Sequence, residues 1–135
     1  MCSFKLIPGA DNYAVMGNPV AHSKSPQIHA AFARQTGEPV AYQAIPVALD
    51  GFPAALDAFQ EMGGKGLNIT VPFKEEAWQA SQVRTSRAER ARAVNTLWFD
   101  QSGRRHGDTT DGIGLIRDLT VNHSIQLSGK NVLVL

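Results

Sequence analysis

A chain of 135 residues that is 43% apolar is long enough for one domain with a core of its own, which excludes a disordered tail. Its 13 basic and 12 acidic residues nearly cancel, so charge gives no reason to expect a nucleic acid or an anionic membrane as partner. The one cysteine, Cys2, excludes an internal disulfide, and no Cys/His cluster at ligand spacing points to zinc.

Residues 13–17 read as a first strand, followed by a loop of small and polar residues at 18–24. Ser25-Pro26 then predicts a helix start, with the serine hydroxyl as N-cap and the proline at the first helical position. Ile28, Ala31 and Phe32 recur at helical spacing up to Gly37, the expected C-cap. Residues 40–47 suit a second strand, and Asp50 is placed to cap a helix carrying Leu56, Phe59 and Met62, which Gly63-Gly64 ends. Residues 66–71 form the central strand, with Ile69 and Val71 on one face and Asn68 and Thr70 on the other. Pro72 stops the ladder and suits the first turn of a helix at about 73–82, so Lys74 falls within that turn.

Ser86 and Glu89 have capping-box spacing for a short helix. Residues 95–100 and 104–106 flank a turn at Gln101-Ser102-Gly103 as a hairpin, and Asp111-Gly112 precedes a helix carrying Ile113, Leu115, Ile116 and Leu119. Strands alternating with helices predict an α/β protein, a three-layer α/β/α sandwich with a mostly parallel sheet that the hairpin makes mixed. The apolar run Val132-Leu133-Val134-Leu135 reads as a strand that needs cover on both faces, and it predicts a chain cut at a domain junction. The expected division is a substrate-binding catalytic domain at 1–111, a linking helix and loop at 112–127, and the first strand of a second domain at 128–135. Uncovered, that strand is expected to dock on its own domain or to pair between molecules as a self-association surface. No run approaches the roughly 18 apolar residues that cross a bilayer, and the first ten residues lack a secretion signal's apolar stretch, so no membrane partner and a cytoplasmic location are expected.

Ligands of open α/β sheets bind outside the carboxyl ends of strands, which is where Asn68, Thr70 and Lys74 converge. A cation in the first turn of a helix meets the positive end of the dipole, a disadvantage of roughly 0.3–1 kcal/mol that fits a proton-transfer role better than a structural one. The plainer alternative is a lysine lying over Phe73 and Trp78. Ser23 and Ser25 stand with free backbone N–H groups at a helix N-terminus, suited to a carboxylate or phosphate, or they merely turn and cap the chain. Asn95 can offer a donor and an acceptor to a ligand hydroxyl, or serve a turn. Asp111 can lie near Lys74 or be only an N-cap, and spacing leaves both open. Arg84, Arg87, Arg90 and Arg92 with Glu89 read as a solvated helix face rather than a phosphate patch, since no aromatics interleave.

Four motifs, in order, are similar to those of the substrate-binding domain of shikimate dehydrogenases, over about residues 13–135. Gly-Asn-Pro-x-x-His-Ser-x-Ser-Pro stands at 17–26, Asn-x-Thr-x-Pro-x-Lys at 68–74, Ala-x-Asn-Thr at 93–96, and Thr-Asp-Gly at 110–112. The resemblance implies NADP-linked interconversion of 3-dehydroshikimate and shikimate, on the route to aromatic amino acids. It implies Lys74 and Asp111 as the catalytic pair, Ser23 and Ser25 on the substrate carboxylate, and Asn68, Thr70, Asn95 and Asp111 around the hydroxyls and the C3 oxygen. Two departures stand out. Thr109 replaces an asparagine common in the family, and the glycine-rich cofactor loop that follows the strand at 131–135 in the family has no counterpart in this chain. The chain alone is therefore expected to bind no NADP and to be inactive. Rival readings are a quinate/shikimate dehydrogenase paralogue that uses NAD and a non-catalytic shikimate or quinate sensor; a sensor has no use for the proton donor that Lys74 and Asp111 imply.

Overall fold

The computed structural model describes residues 4–134. Strands β1 (Asp11–Gly17), β2 (Val40–Pro46), β3 (Gly66–Ile69), β4 (Val83–Arg84), β5 (Thr96–Phe99) and β6 (Arg105–Asp108) form one sheet in the order β2-β1-β3-β5-β6-β4. The β1–β2, β1–β3 and β4–β6 pairs are parallel, and β3–β5 and β5–β6 are antiparallel. The expected mixed α/β sheet is present, with the hairpin supplying one of the antiparallel pairs. At two residues, β4 is too short to leave a periodic signal in the sequence.

Alternation of side chains along the strands sorts the two faces. On one face Met16, Ile45, Leu67, Ile69 and Leu97 pack with Phe52, Leu56 and Phe59 of α2 (Phe52–Glu61), and with Phe73 and Ala77 at α3 (Lys74–Ala80). Within this core the Phe52 and Phe73 rings stack at 5.2 Å. The other face is covered by α1 (Ser25–Thr36), which rests mainly on β2, with His29 stacked on Tyr42 at 4.0 Å. No residue of α1 is fully buried, and Ile28 and Phe32 of its apolar stripe are 47% and 54% exposed. A helix seated over one edge of the sheet cannot bury its whole stripe. Beside it the sheet keeps an open concavity of about 350 Å³ lined by Tyr13, Val40, Gly66 and Trp98.

Three helix starts lie one residue away from the sequence reading. In α1 the N-cap position is Lys24 rather than Ser25, because the Ser23 hydroxyl accepts from the Ser25 N–H at 3.2 Å and satisfies that amide from upstream. For α2 the N-cap is Gly51 rather than Asp50, with Pro53 in its first turn. In α4 (Ser86–Ala91) the cap is Thr85, whose hydroxyl accepts from Ala88 N–H at 3.3 Å. Glu89 does not turn back on the helix and instead accepts from Arg84 at 2.6 Å. Arg84 also lies 4.6 Å over the Trp78 ring, and Arg87 pairs with Asp108, so two arginines of the basic run are satisfied within the domain.

After α5 (Asp111–Arg117) comes a π-helical turn at Asp118–Asn122 and then no regular element through residue 134. The boundary expected after residue 111 falls inside the first turn of α5. Val132, Leu133 and Val134 are 66%, 81% and 86% exposed and join no strand, so this tail does not dock on its own domain among the described residues. Leu135 lies outside them.

Phe73 is fully buried directly before Lys74 and fixes where α3 begins. Phe73→Ala is expected to cost about 3–5 kcal/mol of the roughly 5–15 kcal/mol available to a small domain, read from urea unfolding. A loss below about 1 kcal/mol would show that this ring does not anchor the core.

Candidate active site

The site begins with strand directions. Parallel pairing of β1 with β3 brings their carboxyl ends to one edge of the sheet, and the antiparallel β5 begins where β3 ends, with Asn68 opposite Thr96. The second reversal sets the end of β6 at the same edge, Thr96 opposite Asp108. Four chain segments therefore meet there. Gly17 permits the closest approach: a Cβ at this position would stand 2.3 Å from Thr70 Cγ2 and 3.3 Å from the Val71 carbonyl oxygen. Asn18 N–H donates to that carbonyl at 3.0 Å, tying the loop that carries Ser23 and Ser25 to the segment after β3.

Lys74 is the first residue of α3, and its carbonyl accepts from Val94 N–H at 2.9 Å, which sets the position of Asn95. Asn95 is the hub. Its Nδ2 donates to Thr110 Oγ1 and to Asp111 Oδ1, both at 2.9 Å, and its Oδ1 accepts from Thr96 Oγ1 at 2.9 Å and from Thr110 N–H at 3.1 Å. The other carboxylate oxygen of Asp111 accepts from Lys74 Nζ at 2.6 Å. The N-cap of α5 is Thr110, so Asp111 is not merely a cap; its carboxylate is spent on Lys74 and Asn95.

The loop that delivers Asp111 is fastened by Asp108, which accepts from Thr85 Oγ1 at 2.6 Å, from Thr109 N–H at 2.8 Å and from Arg87 in a close ion pair. Donation from Arg87 holds the Asp108 carboxyl at about 2, with Thr85 and Thr109 adding to the effect and desolvation opposing it. Thr109 serves this contact through its backbone, which its side chain leaves unchanged.

On the other side Asn68 Nδ2 donates to the Asn95 carbonyl at 3.3 Å, and its Oδ1 accepts from Tyr42 Oη at 2.6 Å. His29 stacks on Tyr42, and its Nδ1 lies 2.8 Å from the Ser25 carbonyl. Burial pushes the Tyr42 phenol well up from its ordinary value, against a weaker opposite pull from the Ser25 side chain. Contacts thus run without a break from Ser25 through Tyr42, Asn68, Asn95 and Asp111 to Lys74. Thr70 stands beside this series, against Gly17. A second concavity, lined by Arg87, Arg90, Asp111, Ile113 and Ile116, opens on the far side of Asp111 between α4 and α5.

The Lys74 and Asp111 side chains are 30% and 57% exposed, and an ion pair so solvated contributes roughly 0–1 kcal/mol, about what the lysine loses against the helix dipole. Stability gives no reason for the pair. An ammonium aimed by a carboxylate at an open edge, with two further N–H donors, suits delivery of a proton to a ligand oxygen. Tyr42, His29 and Thr110 escaped the sequence reading as site residues. Strand alternation together with the β1 register, which the sequence does not reveal, places Tyr42 on the same face as Asn68. Among the described residues no cluster of His, Cys, Asp and Glu can hold a metal, and no helix is long and apolar enough to cross a membrane.

The family profile described as the shikimate dehydrogenase substrate binding domain matches residues 15–97. The chain belongs to this family. The NADP(+) shikimate dehydrogenase of Alkalilimnicola ehrlichii is 61% identical over 125 residues, 93% of this chain and 46% of that enzyme. That of Marinobacter nauticus is 56% identical over the same shares. Among solved structures, a shikimate 5-dehydrogenase of Thermus thermophilus in complex with NADP(H) and shikimate superposes with a TM-score of 0.76 at 34% identity, over 83% of this chain and 42% of that one. The Ael1 enzyme of Pseudomonas putida superposes with a TM-score of 0.81 at 45% identity, over 85% and 42%. The chain spans a little under half the length of these relatives.

Asp108 provides a pH test of the loop. Its folded carboxyl is depressed from 3.8 to about 2, so its stabilising contribution is full above the unfolded value and disappears as pH falls toward about 2. Asp108→Asn is expected to be less stable than wild type at neutral pH, with the difference shrinking between about pH 5 and about pH 2 in urea unfolding. A difference that stays constant across that window would contradict the assignment.

Proposed function

We propose that this chain is the substrate-binding and catalytic part of an NADP-dependent shikimate dehydrogenase, which interconverts 3-dehydroshikimate and shikimate. The observation that carries the reading is the Lys74–Asp111 contact, tied through Asn95 to the hydroxyl-binding side chains in a chain of this family. Ser23 and Ser25 take the substrate carboxylate, and Asn68, Thr70 and Asn95 take its ring hydroxyls. Residues 1–111 make up this domain, 112–127 the link, and 128–135 the opening strand of a cofactor domain. The exposed apolar tail offers a surface for pairing with a second copy. A sensor reading would explain the serines but leave the aimed ammonium without a task.

Reduction of the C3 ketone takes its hydride from a reduced nicotinamide cofactor. Residues 128–134 are exposed and open no helix at whose N-terminus its pyrophosphate could rest. What this chain's residues contribute is the proton and the fixed hydrogen bonds. As the C3 oxygen gains negative charge, a Lys74 N–H strengthens its hydrogen bond to that oxygen and then transfers the proton. Asp111 keeps the ammonium aimed, and Asn95 keeps Asp111 in place. Such a donor contributes roughly 10²–10⁴-fold in rate.

Titration of shikimate into this chain by calorimetry is expected to give binding that Ser25→Ala weakens about tenfold or more. In a two-domain enzyme carrying this chain, Lys74→Ala is expected to lower kcat at least about tenfold with little change in KM. Absence of shikimate binding in the wild type, or a Lys74→Ala enzyme with kcat within about threefold, would count against the reading.

A further inference from the structure

An asparagine side chain has an accepting end and a donating end of nearly equal shape, so something must decide which end faces the ligand. At Asn68 the decision is made by two neighbours. The Asn95 carbonyl, 3.3 Å from Nδ2, can only accept, and the Tyr42 phenol lies 2.6 Å from Oδ1. Turning the amide over would set Oδ1 against the Asn95 carbonyl, two acceptors face to face, and would force the phenol O–H away from its partner. The phenol is itself held. Its ring lies flat on His29, with centroids 4.0 Å apart and planes 8° apart, and His29 is fastened to the start of α1 through the Ser25 carbonyl at 2.8 Å. Burial keeps the phenol protonated at any physiological pH, so its O–H remains available to donate to Asn68.

We infer that Tyr42 is a positioning residue of this site: its phenol O–H locks the Asn68 amide with the oxygen side committed, and its ring joins the serine end of the cleft to the hydroxyl end. The inference rests on the shikimate reading for its ligand. Asn68 then meets the ligand through the remaining lone pair of Oδ1, so it accepts from a ligand hydroxyl and disfavours a carbonyl or ether oxygen at that point. Because Ser25 begins the helix that carries His29, any shift of the serine end moves the stack on Tyr42, and with it the lock on Asn68. The Tyr42 ring also belongs to the wall of the concavity between α1 and the sheet, and a phenylalanine would fill that wall equally well. The hydroxyl is therefore the part that acts on Asn68.

Tyr42→Phe keeps the ring and the stack and removes only the O–H. In the ¹⁵N-labelled chain without ligand, the Asn68 side-chain amide resonances are expected to move while the backbone spectrum of α1 and β2 remains that of the folded wild type. Shikimate binding by the same variant is expected to weaken about three- to tenfold, the effect of one lost hydrogen bond, with the unfolding midpoint little changed. Asn68 resonances that stay in place would overturn the inference, and so would an affinity within about twofold of wild type. If wild-type chain binds no shikimate, the functional reading fails by itself, and the Asn68 resonances still decide whether Tyr42 holds the amide.

Discussion

The reversal of strand direction between β3 and β5 is the constraint on which the site depends. In a wholly parallel sheet the start of β5 would lie at the amino edge, far from the end of β3. Because β5 runs antiparallel, Asn95 at its start stands beside Asn68 at the end of β3, and the return of β6 brings Asp108 and the loop to Asp111 to the same place. The parallel β1–β3 pair adds the loop with Ser23 and Ser25, drawn close because Gly17 has no side chain to strike Thr70. Residues distant in sequence thus share one edge through backbone pairing alone, before any side-chain contact is made.

The side-chain contacts then fix orientation more than they add stability. Lys74 and Asp111 are too solvated for their pairing to matter much to folding, whereas the buried Phe73 directly before Lys74 holds its backbone in the core. Asn95 uses both ends of its amide on the loop that carries Asp111, and Asn68 uses both ends of its amide on Tyr42 and Asn95. Amides held at both ends in this way have little freedom to turn when a ligand arrives, which is how a site at an open edge stays organised.

Much of this was legible in the sequence where local chemistry dictates local structure. Glycines and prolines at 17, 26, 37, 63, 64 and 72 marked strand and helix ends closely, and the hairpin turn at 101–103 foretold the mixed sheet. The starts of α1 and α4 slipped by one residue because Ser23 and Thr85 act from outside the turns they serve, which a pattern of single cap residues does not capture. The pairing of Lys74 with Asp111 was not legible from spacing, since 37 residues separate them and their meeting depends on two strand reversals. Tyr42 was hidden by its setting, a tyrosine in a strand that reads as ordinary sheet packing until the register with β1 and β3 places its hydroxyl on Asn68.

Ser25, Asn68, Asn95, Asp111 and Lys74 are proposed to act on one ligand. A crystal structure of this chain grown with shikimate tests this most directly. The ligand carboxylate is expected on the Ser23 and Ser25 hydroxyls, ring hydroxyls on Asn68 and Asn95, and one ring oxygen within hydrogen-bonding distance of Lys74 Nζ. Shikimate found instead in the concavity beside Tyr13 and Trp98, with Lys74 and the serines untouched, would contradict it.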